Sequence, residues 1–152
     1  MFKNTFDKNV TDEIITRIDK LNPSTQALWG KMSVSQMLAH CCVTYEMLFE
    51  PERFRKPNFL MGLLLKFVVK PTVVGDVPYK KNLRTAPEFV IVGEKEFDSE
   101  KKRLVDFILK TQALGADYFE GRESRSFGKL SKDEWNIMFY KHLNHHLGQF
   151  GV

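Results

Sequence analysis

The sequence predicts an all-α fold, and three observations carry the prediction. Apolar residues recur at a helical period in four separated segments, two of those segments open on a serine capping box, and Phe89-Val90-Ile91-Val92 is the one stretch with strand character. Four amphipathic helices, with a long irregular crossover between the second and third, read as a four-helix bundle with an embellished middle. At 152 residues the chain is expected to form a single domain over 1–152, long enough to bury a core without staples.

The first helix is expected over residues 10–21. Asn9 or Thr11 caps it, Asp12 and Glu13 complement its first turn, and Val10, Ile14, Ile15, Ile18 and Leu21 make its buried face. Asn22-Pro23 ends it, because the residue before a proline is pushed out of helical geometry. The second helix begins at Ser33, which with Gln36 has the spacing that satisfies two orphan amide donors reciprocally. Val34, Met37, Leu38, Cys41, Tyr45, Leu48 and Phe49 form its stripe, and Pro51 stops it.

Residues 58–70 are heavily apolar, with Gly62, Lys66 and Lys70 sharing one side. Such a segment is too short to span a bilayer. It suits a buried helix, a subunit contact or a helix lying in a membrane interface, and burial is the preferred reading. Residues 71–97 are punctuated by Pro71, Gly75, Pro78, Pro87 and Gly93, and a connection this long is expected to be functional, covering a pocket. A third long helix follows over 99–114, stopped by Gly115, with Leu104, Phe107, Ile108, Thr111 and Leu114 facing inward. Residues 118–129 read as a second loop. The last helix opens at Ser131, paired with Glu134 in a second capping box.

Composition narrows the class. Hydrophobic content of 43% with 28% charged residues is ordinary for a soluble globular protein. No secretory signal precedes the first polar residues, and the cysteines, Cys41 and Cys42, are adjacent and poorly placed to bridge each other, so a cytoplasmic protein is expected. The net charge is +4, yet residues 53–84 hold eight basic side chains against Asp76 alone, a local +7. A basic middle can face nucleic acid, anionic lipid or an anionic substrate. No nucleic-acid motif accompanies it, and a solvated basic surface is the preferred reading.

The histidines carry the chemistry. Three of the four stand at positions 142, 145 and 146, and the fourth is His40. His142 and His146 fall within about 20° of the centre of the stripe that Trp135, Met138 and Phe139 define, at roughly 100° per residue. Imidazoles in the middle of a core face need partners. At i, i+4 they lie one turn apart and can aim nitrogens at one point, as metal ligands on a helix do. His145 lies about 80° off that centre by the same count and is a flank residue. His40 sits about 120° from the centre of its own stripe, so by itself it reads as a surface or boundary histidine. Gln36, one turn before His40, and Gln149, one turn after His146, are candidates for orienting the rings. Tyr45 serves either the core or a cavity wall.

His142-Leu143-Asn144-His145-His146-Leu147-Gly148-Gln149 resembles the H-x-x-H-H-x-G-Q signature of the DinB/YfiT-like superfamily of metalloenzymes. Residues 28–40, closing on His40, are similar to that superfamily's second-helix motif. Lys81-Asn82, Thr85-Ala86-Pro87, Phe127-Gly128-Lys129-Leu130 and the terminal run from Lys141 resemble one branch of it known only as a domain of unknown function. That branch implies a histidine-proline pair just before the Phe-Gly-Lys-Leu stretch, where this chain has Ser124, Arg125 and Ser126. The resemblance implies a DinB-like four-helix bundle holding one divalent metal through His40, His142 and His146. Imidazole donors suit zinc or nickel best, with iron or manganese also compatible. Three neutral nitrogens leave positions open for water or substrate, the pattern of a catalytic site. Superfamily relatives include thiol-dependent transferases and isomerases. The expected function is therefore a metal-dependent transferase or hydrolase acting on a small or anionic substrate, with a low-molecular-weight thiol as partner. The alternative is a non-catalytic, metal-stabilised binding or stress-response module. The superfamily is often dimeric, and residues 58–70 are one place where a homodimer contact would fall.

Overall fold

The computed structural model describes residues 2–152. Helices α1 (Lys8–Asp19) and α2 (Val34–Phe49) come first, then α3 (Phe59–Leu64), which runs through a π turn (Leu65–Val69) into α4 (Lys70–Val74). Helices α5 (Phe97–Leu114) and α6 (Ala116–Phe119), the hairpin strands β1 (Arg122–Ser124) and β2 (Gly128–Leu130), and α7 (Lys132–Gln149) complete the chain. The protein is therefore mostly helical, with one small antiparallel sheet pairing Arg122 with Leu130 and Ser124 with Gly128.

Helices α1, α2, α5 and α7 share one core. Helix α2 packs chiefly on α5 and also meets α7, while α1 touches both α5 and α7. Ile14 and Ile18 from α1, Met37, Leu38 and Tyr45 from α2, Leu104 and Ile108 from α5, and Trp135, Phe139 and Leu143 from α7 are all buried there. Tyr45 stacks between Phe139, at 5.0 Å, and Phe107, at 5.7 Å, so it belongs to the core. Both capping boxes form. Ser33 and Gln36 exchange hydrogen bonds at the start of α2, and Ser131 and Glu134 do so at the start of α7. These reciprocal bonds fix where the two site-bearing helices begin, and hence the rotational phase of their side chains.

Several expectations need correction. Helix α1 starts two residues before the predicted position, with Asp7 as N-cap, and ends at Asp19. Residues 87–92 form a short 3₁₀ turn and extended chain without a sheet partner, whereas the sheet lies within the stretch read as a loop, where Gly128 at φ 72° starts β2. Leu114 is exposed at the end of α5. The largest difference is residues 58–70, whose apolar side chains face outward, with Phe59, Leu60, Phe67 and Val68 among the most exposed hydrophobic residues. Burial was inferred from apolarity alone, and apolarity cannot tell whether a second surface is present to cover it. His40 is also not at the surface: α2 is buried on nearly all sides, because α5 and α7 cover two of its faces and residues 87–91 cover a third.

Candidate metal centre

His40 comes from the middle of α2, and His142 and His146 from successive turns of α7. The three rings meet in the seam between these helices. Their centroids are 5.0 Å apart for His40 and His142, 4.5 Å for His40 and His146, and 4.8 Å for His142 and His146. One nitrogen from each ring lies within 4.8 Å of the other two, close enough to bind one metal ion. His40 and His146 are buried and His142 is half-buried.

The outer nitrogens explain which way the rings point. His40 Nδ1 lies 2.8 Å from the carbonyl oxygen of Phe89. A carbonyl only accepts, so this nitrogen carries the proton and His40 Nε2 carries a lone pair. His146 Nδ1 lies 2.9 Å from Gln149 Oε1. The Gln149 amide cannot be turned around, because its Nε2 donates to the Trp29 carbonyl at 2.7 Å. His146 Nδ1 is thus the donor, and its Nε2 is left with a lone pair. His142 Nδ1 lies 3.1 Å from Thr44 Oγ1, a hydroxyl that can give or take a proton. Its Nε2 is 3.0 Å from His40 Nε2. Two nitrogens bound to one tetrahedral ion at about 2.0–2.1 Å lie about 3.3 Å apart. The closest pair and the 4.8 Å limit of the set bracket that spacing. Donor type, tautomer and spacing all fit a divalent cation held by three imidazoles.

Electrostatics agree with neutral ligands. Burial lowers the pKa of His40 from its ordinary value, against the opposing pull of the Phe89 carbonyl. Burial, then the neighbouring His146 and His40, holds His142 well below the ordinary range. Burial and the nearby His40 bring His146 to about 3. An imidazole must be neutral to ligate, and these three already are at neutral pH.

Gln149 makes the ring contact that its spacing implies, and Leu28 N–H bonds its backbone oxygen at 2.8 Å, so residues 28–30 are stitched to the end of α7. Gly30 is needed in that stitch: it has φ +85°, and a Cβ there would meet Gln149 Nε2 at 2.5 Å. Gln36 is placed differently from its expected role. Its amide bonds Ser33 N–H and the Gly93 carbonyl, and the His40 nitrogen it was expected to orient is held by Phe89 instead. Gln36 thus secures the 87–93 segment that supplies the Phe89 carbonyl. Sequence reasoning missed Thr44 and Phe89. Thr44 stands at i+4 from His40 and was open to the same facing-residue logic that paired His142 with His146. A backbone carbonyl leaves no such trace.

His145, the flank residue, is half-buried between Trp29 and Tyr79, with its ring 5.0 Å from that of His146. A cavity of about 180 Å³ opens beside it, walled by Phe2, Trp29, Tyr79, Lys81 and Lys141. A larger cavity, of about 290 Å³, lies between α2 and α5, where Arg103 and Arg53 are paired with Glu46, Glu50 and Glu100. Four of the six charged side chains that line it, Glu46, Arg53, Glu100 and Arg103, are paired with one another, and none of the three histidines lines either cavity.

The fold and site define a mostly helical protein with a cluster of three histidines close enough to bind a metal. The chain belongs to the family described as Protein of unknown function (DUF1569), whose sequence profile matches residues 3–151. Searches of curated proteins and of solved structures give no match.

Proposed function

We propose that the protein is a single-domain, DinB-like four-helix bundle, and that it is a metal-dependent enzyme whose divalent ion is held by His40, His142 and His146. The observation that carries this reading is the outward anchoring of all three rings: Phe89, Thr44 and Gln149 each occupy an Nδ1, and the Nε2 atoms are left for a common ligand. Outer partners of this kind orient ligating histidines and raise their basicity. Zinc or nickel suits three imidazoles best, with iron or manganese compatible. A divalent ion with open positions acts as a Lewis acid and lowers the pKa of a bound water or thiol toward neutrality.

The remaining chemistry belongs to the chain. Phe89 and Gln149 hold the tautomers of His40 and His146, and Thr44 completes the set at His142. The cavity beside His145 adjoins the cluster through that ring, 5.0 Å from the ring of His146; it is small, aromatic-walled and carries Lys81, whose ammonium lies 4.2 Å from the Trp29 ring centre, so it suits a small anionic substrate with an apolar portion. His145 presents a neutral imidazole to it, its pKa lowered by burial and by Lys81. A thiol-dependent transfer or a hydrolysis, with a low-molecular-weight thiol or water as nucleophile, fits these features.

Elemental analysis of protein purified without an affinity tag tests the metal. One equivalent in the wild type, lost in His142→Ala, is expected. Sub-stoichiometric metal that is unchanged by His142→Ala refutes the ligand assignment. Turnover of a panel of acceptors with low-molecular-weight thiols tests the catalysis. Loss of thermal stability on chelation without turnover of any acceptor identifies the metal as structural, in a binding or stress-response module.

A further inference from the structure

The segment from α3 to α4 carries an unused surface. Leu60, Leu63, Leu64, Phe67 and Val68 recur at i, i+3, i+4, i+7 and i+8, which is one face of a helix. In most surface helices this face is buried and the polar face is wet. Here the sides are reversed: Phe59 is 79% exposed, Leu60 76%, Phe67 67% and Val68 62%. The C-terminal end of the segment holds it to the body of the protein. Val73 and Val74 pack against the core, Lys70 pairs with Glu134 at 2.8 Å, and the Lys141 ammonium donates to the carbonyls of Thr72, Gly75 and Val77. The apolar face is thus turned outward on a segment anchored at its C-terminal end.

The charges around it indicate what it meets. Arg55 and Lys56 stand ahead of the Asn58 cap, separated from it by Pro57, and Lys66 lies within the helix; all three are exposed, and among the described residues none forms an ion pair. They belong to the 53–84 stretch with its net +7. From residue 59 to 74 the helix is at most about 24 Å long at roughly 1.5 Å per residue, short of the about 30 Å of a hydrocarbon core. No helix among the described residues is long and apolar enough to cross a membrane. An exposed apolar face flanked by unpaired cations suits a helix lying in the plane of a bilayer interface. A contact with a second copy would add one +7 stretch to another, and nucleic acid would leave the apolar face in water.

We infer that the α3–α4 helix docks this protein onto an anionic lipid bilayer, with Leu60, Leu64, Phe67 and Val68 entering the interface and Arg55, Lys56 and Lys66 meeting acidic headgroups. The docking is independent of the metal, because none of these residues belongs to the histidine cluster.

Vesicle co-sedimentation of the full chain tests this, using phosphatidylcholine alone and mixed with phosphatidylserine. Binding to the anionic vesicles, at least about tenfold tighter than to the neutral ones and weakened by salt, is expected. Reversal of one of Arg55, Lys56 or Lys66 to glutamate is expected to weaken binding roughly fivefold or more. Phe67→Ser with Leu60→Ser, which touch only exposed positions, is expected to abolish binding and leave the thermal midpoint unchanged. Phe67→Trp is expected to shift its emission to the blue on anionic vesicles only. Failure to bind anionic vesicles, or equal binding to both kinds, overturns the proposal. So does a wild-type dimer that becomes monomeric in the double serine variant, because a second copy then covers the face. His142→Ala is expected to bind vesicles like the wild type, so the metal assignment and the docking proposal can fail separately.

Discussion

Replacing Thr44 with valine separates the site from the fold. The two side chains have nearly the same shape, and Thr44 is buried against the α7 seam, so Thr44→Val removes one hydroxyl and little packing. If His142 ligates through Nε2 as proposed, its Nδ1–H would donate to Thr44 Oγ1, 3.1 Å away. Without the hydroxyl a buried N–H of a ligating ring is left without an acceptor. Loss of an outer partner of a ligating histidine typically costs 10–100-fold in metal affinity, or about 1.4–2.8 kcal/mol. In the metal-free protein His142 can change tautomer, so the stability loss there is that of one net hydrogen bond, about 1 kcal/mol. For a domain of this size that lowers the thermal midpoint by about 2–4 °C. Competition with a chromophoric zinc chelator measures the affinity, and calorimetry with and without metal measures stability. The expected result is a drop in affinity of at least about tenfold, with a larger loss of midpoint in the metal-loaded form than in the metal-free form. Equal midpoint losses in both forms, with unchanged affinity, would refute the role given to the outer hydrogen bonds.

Two further outcomes follow from the same structure. The folded-state pKa values of His40, His142 and His146 lie below those of the unfolded chain, so the unfolded chain binds more protons as the pH falls below about 6.5, and metal-free stability declines there. With His146 at about 3, that residue alone accounts for roughly 2 kcal/mol lost by pH 5; urea midpoints that stay flat between pH 7 and 5 would contradict it. Lys141→Met keeps the length of the stem but leaves the carbonyls of Thr72, Gly75 and Val77 without their common donor. The expected cost is about 3 kcal/mol, with faster proteolytic cleavage within residues 72–77. Unchanged protease resistance would show that the clasp does not hold that segment.

What the sequence determined by itself was local. The capping boxes at Ser33 and Ser131, the stop at Gly115 and the facing pair His142 and His146 follow from helical spacing and from hydrogen bonds within a single turn. The His40 partnership came from a resemblance, because its own helical phase pointed away from the core. Only the tertiary structure decided that α2 is covered on several sides, which turned a boundary histidine into a buried one. It also brought in the Phe89 carbonyl from a segment 49 residues further along the chain, a backbone contact that no side-chain pattern encodes. The apolar run at 58–70 shows the opposite limit. Its periodicity specifies which face is apolar, but whether that face is covered depends on which surfaces lie opposite it, and local spacing contains nothing about them.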